Sequence, residues 1–208
     1  MNSSLDDIRA AFHRPLPGIA AQIRLAPEYR VQSLNTTPPA DARAAGVLIM
    51  LYRHESAWHF PLIKRVEDGL AHSGQISLPG GAQEAGESLR ETALREACEE
   101  IGAACAEVAV LGQLSTIYIP PSNFLVTPIV GGVDRRPDFW CDPREVAELI
   151  EVPLSLLFDR DVVKREAWVL RGMTVDMPFY QIGPHKVSGA TAMILSEFSM
   201  LLAETDVS

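Results

Sequence analysis

Residues 80–103, GGAQEAGESLRETALREACEEIGA, decide how the rest of the chain is read. Ser88, followed three residues later by Glu91, spells a capping box: the serine oxygen accepts from the backbone and the glutamate reaches back, so a helix is expected to start there. Ala93, Leu94, Ala97, Cys98 and Ile101 then recur at 3.6-residue spacing as one apolar stripe, and Gly102 supplies a left-handed stop. The spacing predicts a helix over 88–101. Its other side is unusually acidic. Glu96, Glu99 and Glu100 stand in i, i+3 and i+4 relation, so they share a face. Like charges at these spacings cost about 0.2–0.5 kcal/mol per pair, and the C-terminal end of the helix dipole adds to that cost. The helix alone leaves two readings open. One is a solvated face on which Arg95 pairs with Glu91 and Glu99 at i±4; the other is a set of carboxylate oxygens for a hard divalent cation.

The flanking residues favour the second. Gly81, five residues, Glu87, seven residues, Arg95 and Glu96, two residues, Glu99 and Glu100, one residue and Gly102 together resemble the signature box of the Nudix hydrolase family. Seven specified residue types, each at roughly 5–8% usage, coincide by chance about once in 10⁸ starting points. The resemblance implies a loop–helix–loop motif on an α/β/α sandwich and hydrolysis of a nucleoside diphosphate linked to another moiety, with Mg²⁺ or Mn²⁺. By position, Glu96 and Glu100 are then the principal metal ligands, Glu99 a further ligand or the base that activates water, and Glu87 with Arg95 a buttressing pair. Gly80 and Gly81 would let backbone approach metal or phosphate closely. Such chemistry is coherent, because a bound cation neutralises diphosphate oxygens while a nearby carboxylate accepts a proton from water. Ala97 and Ala103 depart from the bulky aliphatic residues usual in the family, which suggests closer helix packing.

Upstream, LIKRVEDGLAHSGQISLPGG (residues 62–81) is similar to a second signature, that of the coenzyme A pyrophosphatase subgroup. Arg65, Gly74, Gln75, Ile76, Ser77, Pro79, Gly80 and Gly81 match it; Val66, Leu70 and Leu78 depart from it. IPPSNFLVTPIVG (119–131) and SGATAMIL (188–195) extend the likeness, with Ser188 where the subgroup has tryptophan. The implied reaction is cleavage of coenzyme A or its thioesters to 3′,5′-ADP and a 4′-phosphopantetheine product. Lys64 and Arg65 are candidate partners of a substrate phosphate, against the alternative of a solvated strand end. His72 stands in the same loop without a ligand partner in sequence. Leu70, Leu78 and Ser188 keep a second substrate class open, ADP-ribose or an oxidised nucleotide. A degenerate module that only binds ligand is the reading from another class; the complete set of Glu87, Arg95, Glu96, Glu99 and Glu100 speaks against it.

Outward from the box, AGVLIMLY (45–52) and FPLIKR (60–65) read as strands of a hairpin, and residues 108–118 and 124–133 as strands around the turn IPPSN. Residues 146–158 combine a strand with a short helix after Pro153. EAWVLRG and TVDMPFYQI form another strand pair, and 189–204 an apolar helix. The pattern is α/β (α+β), with a mixed sheet. Residues 1–43, where Leu5, Ile8 and Phe12 keep helical spacing before a run of prolines, are expected to be an accessory segment, and 44–208 a single hydrolase domain. No apolar run approaches the roughly 18 residues of a membrane span, and Asp6 and Asp7 stand where a signal peptide needs basic residues. A cytoplasmic protein is expected. The net charge of −9 argues against a broad nucleic-acid surface but not against a small anionic substrate bridged by a cation. Cys98, Cys105 and Cys141 show no CxxC spacing and are expected to be free thiols. A homodimer is expected by analogy with relatives.

Overall fold

The computed structural model describes residues 4–67, 74–102, 105–170 and 172–203. AGVLIMLY forms the middle of β1 (Arg43–His54), whose alternate residues serve two cores. Leu48, Met50 and Tyr52 face α4 (Leu89–Ile101), meeting Ala93, Ala97 and Ile101 of its apolar stripe. Ile49 and Leu51 face the other way, toward Leu195, Phe198 and Leu202 of α5 (Gly189–Ala203). A strand buried on both sides between two helices is the centre of an α/β/α sandwich. The capping box and the Gly102 stop of α4 are both present, Gly102 in the left-handed conformation.

Parallel to β1 runs β7 (Phe124–Val133), in register from Arg43 opposite Phe124 to Tyr52 opposite Val133. Two short strands, β5 (Ala109–Gln113) and β6 (Ile117–Ile119), pair antiparallel with it. The expected single strand over 108–118 is thus broken, where Leu114 N–H donates to the Pro128 carbonyl. On its other side β1 forms the expected hairpin with β2 (Ala57–Arg65), but their recorded register covers only residues 52–54 and 57–59. Beyond that, β2 turns to β3 (Ile76–Ser77) and β8 (Val146–Pro153). The resulting fork is filled by β4 (Gly80–Ala82), which pairs with residues 45–47 of β1, and by the Pro79 carbonyl, which accepts from Leu48 N–H. β9 (Val163–Leu170), β10 (Met173–Ile182) and β11 (His185–Ser188) make a separate antiparallel sheet.

The N-terminal residues fold over α5. Ile8 and Ala11 of α1 (Leu5–Ala11) are fully buried, and Leu25 and Ala26 join the same core. Next come two short helices, α2 (Ile19–Gln22) and α3 (Glu28–Val31). Glu197 of α5, itself fully buried, accepts from the Gly18 and Ser115 backbone N–H groups at 3.2 and 3.1 Å and from Gln22 Nε2 at 2.8 Å. A buried carboxylate needs such partners, and here they tie the arm to the sandwich. Cys98 is disulfide-bonded, which corrects the expectation of free thiols; Cys141 is free. A disulfide depends on which sulfurs the fold brings together, and the absence of CxxC spacing does not decide that. Among the described residues no helix is long and apolar enough to cross a membrane.

Candidate active site

The fork between β1 and β2 places the glycine loop directly over the acidic face of α4. Gly80 N–H donates to Glu100 Oε2 at 2.8 Å. A Cβ on Gly81 would lie 2.3–2.6 Å from the Glu96 carboxylate, so no larger residue fits there without moving that glutamate. The helix comes equally close to β1, since a Cβ on Gly46 would meet the Leu89 carbonyl at 2.5 Å. That close approach falls at Leu89 and Ala93, one to two turns before Ala97, the residue from which closer packing is expected; Ala97 itself is fully buried.

Arg95 is the hub of the motif. Its Nε donates to Glu87 Oε1 at 2.6 Å, one terminal nitrogen reaches Glu96 and Glu99 at 2.9 and 3.0 Å, and the other reaches the Ala82 carbonyl at 3.1 Å. One guanidinium therefore joins loop to helix and offsets three carboxylates. Glu87 also accepts from Thr92 Oγ1 and Glu84 N–H; Arg95 above all holds its carboxyl down at about 2. Glu91 is turned to Ser88 in the capping box, so the i−4 pairing with Arg95 is replaced by the one with Glu87.

The three glutamates of the shared face differ in setting. Glu100 is 1% exposed, Glu96 17% and Glu99 58% as side chains. Burial pushes the Glu100 carboxyl up to about 7, against the pull of Gly80 N–H and of Arg65, whose terminal nitrogen lies 3.0 Å from Glu100 Oε1. Burial likewise raises Glu96. Glu145, just before β8, raises both further and sits 3.9 Å from Arg65. It was not found in the sequence, where nothing in its spacing ties it to the box.

Among the described residues no three His, Cys, Asp or Glu side chains stand together as a metal cluster. Arg95 lies between Glu96 and Glu99, while Glu100 is engaged by Arg65 and Gly80. The donor chemistry nevertheless fits a hard cation. All the candidate donors are carboxylate oxygens, and two, Glu96 and Glu100, are made reluctant to ionise by burial and by neighbouring carboxylates, a cost that a divalent ion would offset.

Glu96, Glu100 and Glu145 line one end of a cleft of about 1070 Å³. That volume suits a nucleotide-sized ligand. Lys64, Arg65, Gly80 and Gly81 line it too, as do Gly74, Gln75, Ile76, Ser77, Leu78 and Ser188. Glu87, Arg95 and Glu99 are not among its lining residues; Arg95 links the other two to Glu96, which is. Lys64 lies 3.7 Å from Glu67. Leu70, His72 and Ala103 fall outside the described residues.

A glycine loop is thus bound onto a carboxylate-bearing helix at one end of the cleft, and the family comparison puts the chain among hydrolases of phosphorus-containing anhydrides. The NUDIX domain model matches residues 42–170, and the chain belongs to the Nudix hydrolase family. Nudix hydrolases act on nucleoside diphosphate derivatives and generally use divalent metal ions. It is 38% identical over 142 residues to an uncharacterised Nudix hydrolase NudL of Pectobacterium atrosepticum, covering 66% of this chain and 67% of that protein. To the NudL of Photorhabdus laumondii it is 36% identical over 130 residues, 62% of this chain and 69% of that one. In fold it is similar to a MutT/nudix family protein from Enterococcus faecalis, with a TM-score of 0.52 and 13% identity over 98% of this chain and 76% of that one. A MutT protein from Methanosarcina mazei gives 0.50 and 20% identity over 80% and 98%.

Proposed function

We propose that this chain hydrolyses the diphosphate of coenzyme A or its thioesters, giving 3′,5′-ADP and a 4′-phosphopantetheine product. The observation that carries this reading is one of placement: Arg65, Gly74, Gln75, Ile76, Ser77, Gly80 and Gly81, which match the subgroup signature, line the same cleft as Glu96 and Glu100. In this reading Glu96, Glu99 and Glu100 hold Mg²⁺ or Mn²⁺. When bound, the cation neutralises diphosphate oxygens and makes water more acidic. Gly80 and Gly81, where a Cβ would collide with β1 or with the Glu96 carboxylate, keep the loop backbone close to the cation and the diphosphate, and Lys64 and Arg65 neutralise its outer oxygens. The Glu87–Arg95 pair keeps the loop in register with the helix, and Glu99 serves as ligand or as the base that takes a proton from water.

A second reading, hydrolysis of ADP-ribose or an oxidised nucleotide, draws on Leu78 and Ser188, two departures from the subgroup pattern that both line the cleft. Turnover of coenzyme A, acyl thioesters, ADP-ribose and oxidised nucleotides by the purified chain with Mg²⁺ or Mn²⁺ separates them. Coenzyme A or a thioester is expected to give the highest kcat/KM; a clear preference for ADP-ribose or an oxidised nucleotide would replace the first reading by the second.

A further inference from the structure

The cleft is electrically polarised. Its carboxylates, Glu96, Glu100 and Glu145, gather at the glycine-loop end, whereas two arginines from different elements, Arg30 and Arg43, line it toward the N-terminal arm. Arg43 opens β1 and shares that strand's cleft side with Ala45 and Val47, residues at i+2 and i+4. Gly46 and Gly81 stand level across the β1–β4 pairing. Arg43 is three residues from that level, about 10 Å along an extended strand.

Its surroundings leave the guanidinium charge open to a ligand. It lies 4.0 Å over the ring of Phe124, its register partner on β7, and one nitrogen is 3.4 Å from the Ser122 carbonyl. Among the described residues it forms no ion pair with a carboxylate. Lys64, Arg65 and Lys186, which also line the cleft, are each paired with glutamate. Arg30, half-buried on α3, donates to the Tyr118 carbonyl at 2.7 Å and so is held in place beside the cleft. An aromatic face and a carbonyl orient Arg43 without neutralising it, which is how a guanidinium is prepared for an anion.

We propose that Arg43 and Arg30 form a second anion subsite, which binds a phosphate on the ribose of the nucleotide half of the substrate. The nucleoside end then points to the N-terminal arm, and the other half runs toward Trp168, Leu170 and Met177 across the cleft. This rests on the diphosphate being cleaved at the glycine loop; it does not require coenzyme A to be the substrate.

The test uses the full chain with Mg²⁺ and two nucleotides that differ by one phosphate, 3′,5′-ADP and 5′-AMP, with binding measured by calorimetry. Wild type is expected to bind 3′,5′-ADP at least about tenfold more tightly, as one charged hydrogen bond allows. Arg43→Ala should lose that preference while its affinity for 5′-AMP stays within about twofold. Arg43→Gln, which keeps a side chain over Phe124, should do the same and guards against a folding defect. In turnover, Arg43→Ala should raise KM for coenzyme A about tenfold with little change in kcat, and leave 3′-dephospho-coenzyme A unaffected. Equal binding of the two nucleotides by wild type, or equal weakening of both in the variants, overturns the subsite. If coenzyme A is not cleaved but the 3′,5′-ADP preference exists and depends on Arg43, the substrate reading fails and the subsite stands. If coenzyme A is cleaved and the preference survives in both variants, the reverse holds.

Discussion

Glu100 sets chemistry against stability more sharply than any other residue of the candidate site. It is almost fully buried, one oxygen takes the Gly80 N–H and the other faces Arg65, yet burial still drives its carboxyl up to about 7. A side chain chosen for stability alone would not carry a charge there. Glutamine keeps an acceptor for Gly80 and removes the buried charge. Glu100→Gln is therefore expected to lower metal-dependent turnover by more than about 100-fold, while melting no lower than wild type when both are measured in chelator. Wild-type rates would sink the ligand assignment, and a melting point several degrees lower would sink the idea that the carboxylate is kept for chemistry. The residues around it were unequally legible. Glu87, Arg95, Glu96, Glu99 and Glu100 lie within fourteen residues, where helical geometry fixes neighbours, and the Glu87–Arg95 bond is present as expected. Glu145 reaches the same site only because β8 pairs with β2, a contact that no local spacing encodes.

At the scale of elements, α4 was readable at both ends because its signals are local: a capping serine with its glutamate, an apolar stripe and a glycine stop. The β1–β2 hairpin and the β9–β10 pair were readable for a similar reason, since runs of branched or aromatic residues flank short turns. β3, β4 and β11 were not, because two to four residues carry no periodicity and the β4 pairing is dictated by where β1 and β2 part. The N-terminal arm shows the same division. Prolines and glycine mark where its helices stop, but its attachment depends on Glu197, which in sequence is one charge in an apolar helix. Removing that carboxylate would leave the Gly18 and Ser115 N–H groups and the Gln22 amide without their acceptor. Glu197→Ala is expected to cost roughly 3 kcal/mol in chemical denaturation and to expose the arm to trypsin at Arg24 and Arg30 before the sandwich is cut. Glu197→Gln, which retains one acceptor, should fall between. Unchanged denaturation and digestion in Glu197→Ala would mean that the apolar contacts of Ile8, Ala11 and Leu25 hold the arm by themselves.

Over the whole molecule, the cleft belongs to no single element. Residues of β1 and β7, the glycine loop, the N-terminal arm, the β9–β10 hairpin and the start of α5 all line it. A net charge of −9 could not reveal that two arginines gather at one end of it and three glutamates at the other; only the folded arrangement separates them. The hairpin side has a different character. Trp168, Leu170 and Met177 present apolar surface there, and Trp168 is fixed by stacking on Phe179 with ring centroids 6.2 Å apart. If the nucleotide half lies toward Arg43, this wall faces the half of the substrate that carries the thiol or its acyl group. Apolar contact with an acyl chain then contributes to binding in proportion to the area removed from water, at about 25 cal/mol per Å². Trp168→Ala removes the largest part of that wall without touching the glycine loop or α4. It is expected to raise KM for a medium-chain acyl thioester roughly tenfold, to raise KM for free coenzyme A less than about twofold, and to leave kcat for both near wild type. An equal rise for the two substrates would place the acyl chain elsewhere. A fall in kcat for both would mean that the hairpin positions the diphosphate itself, which would reverse the substrate's orientation in the cleft.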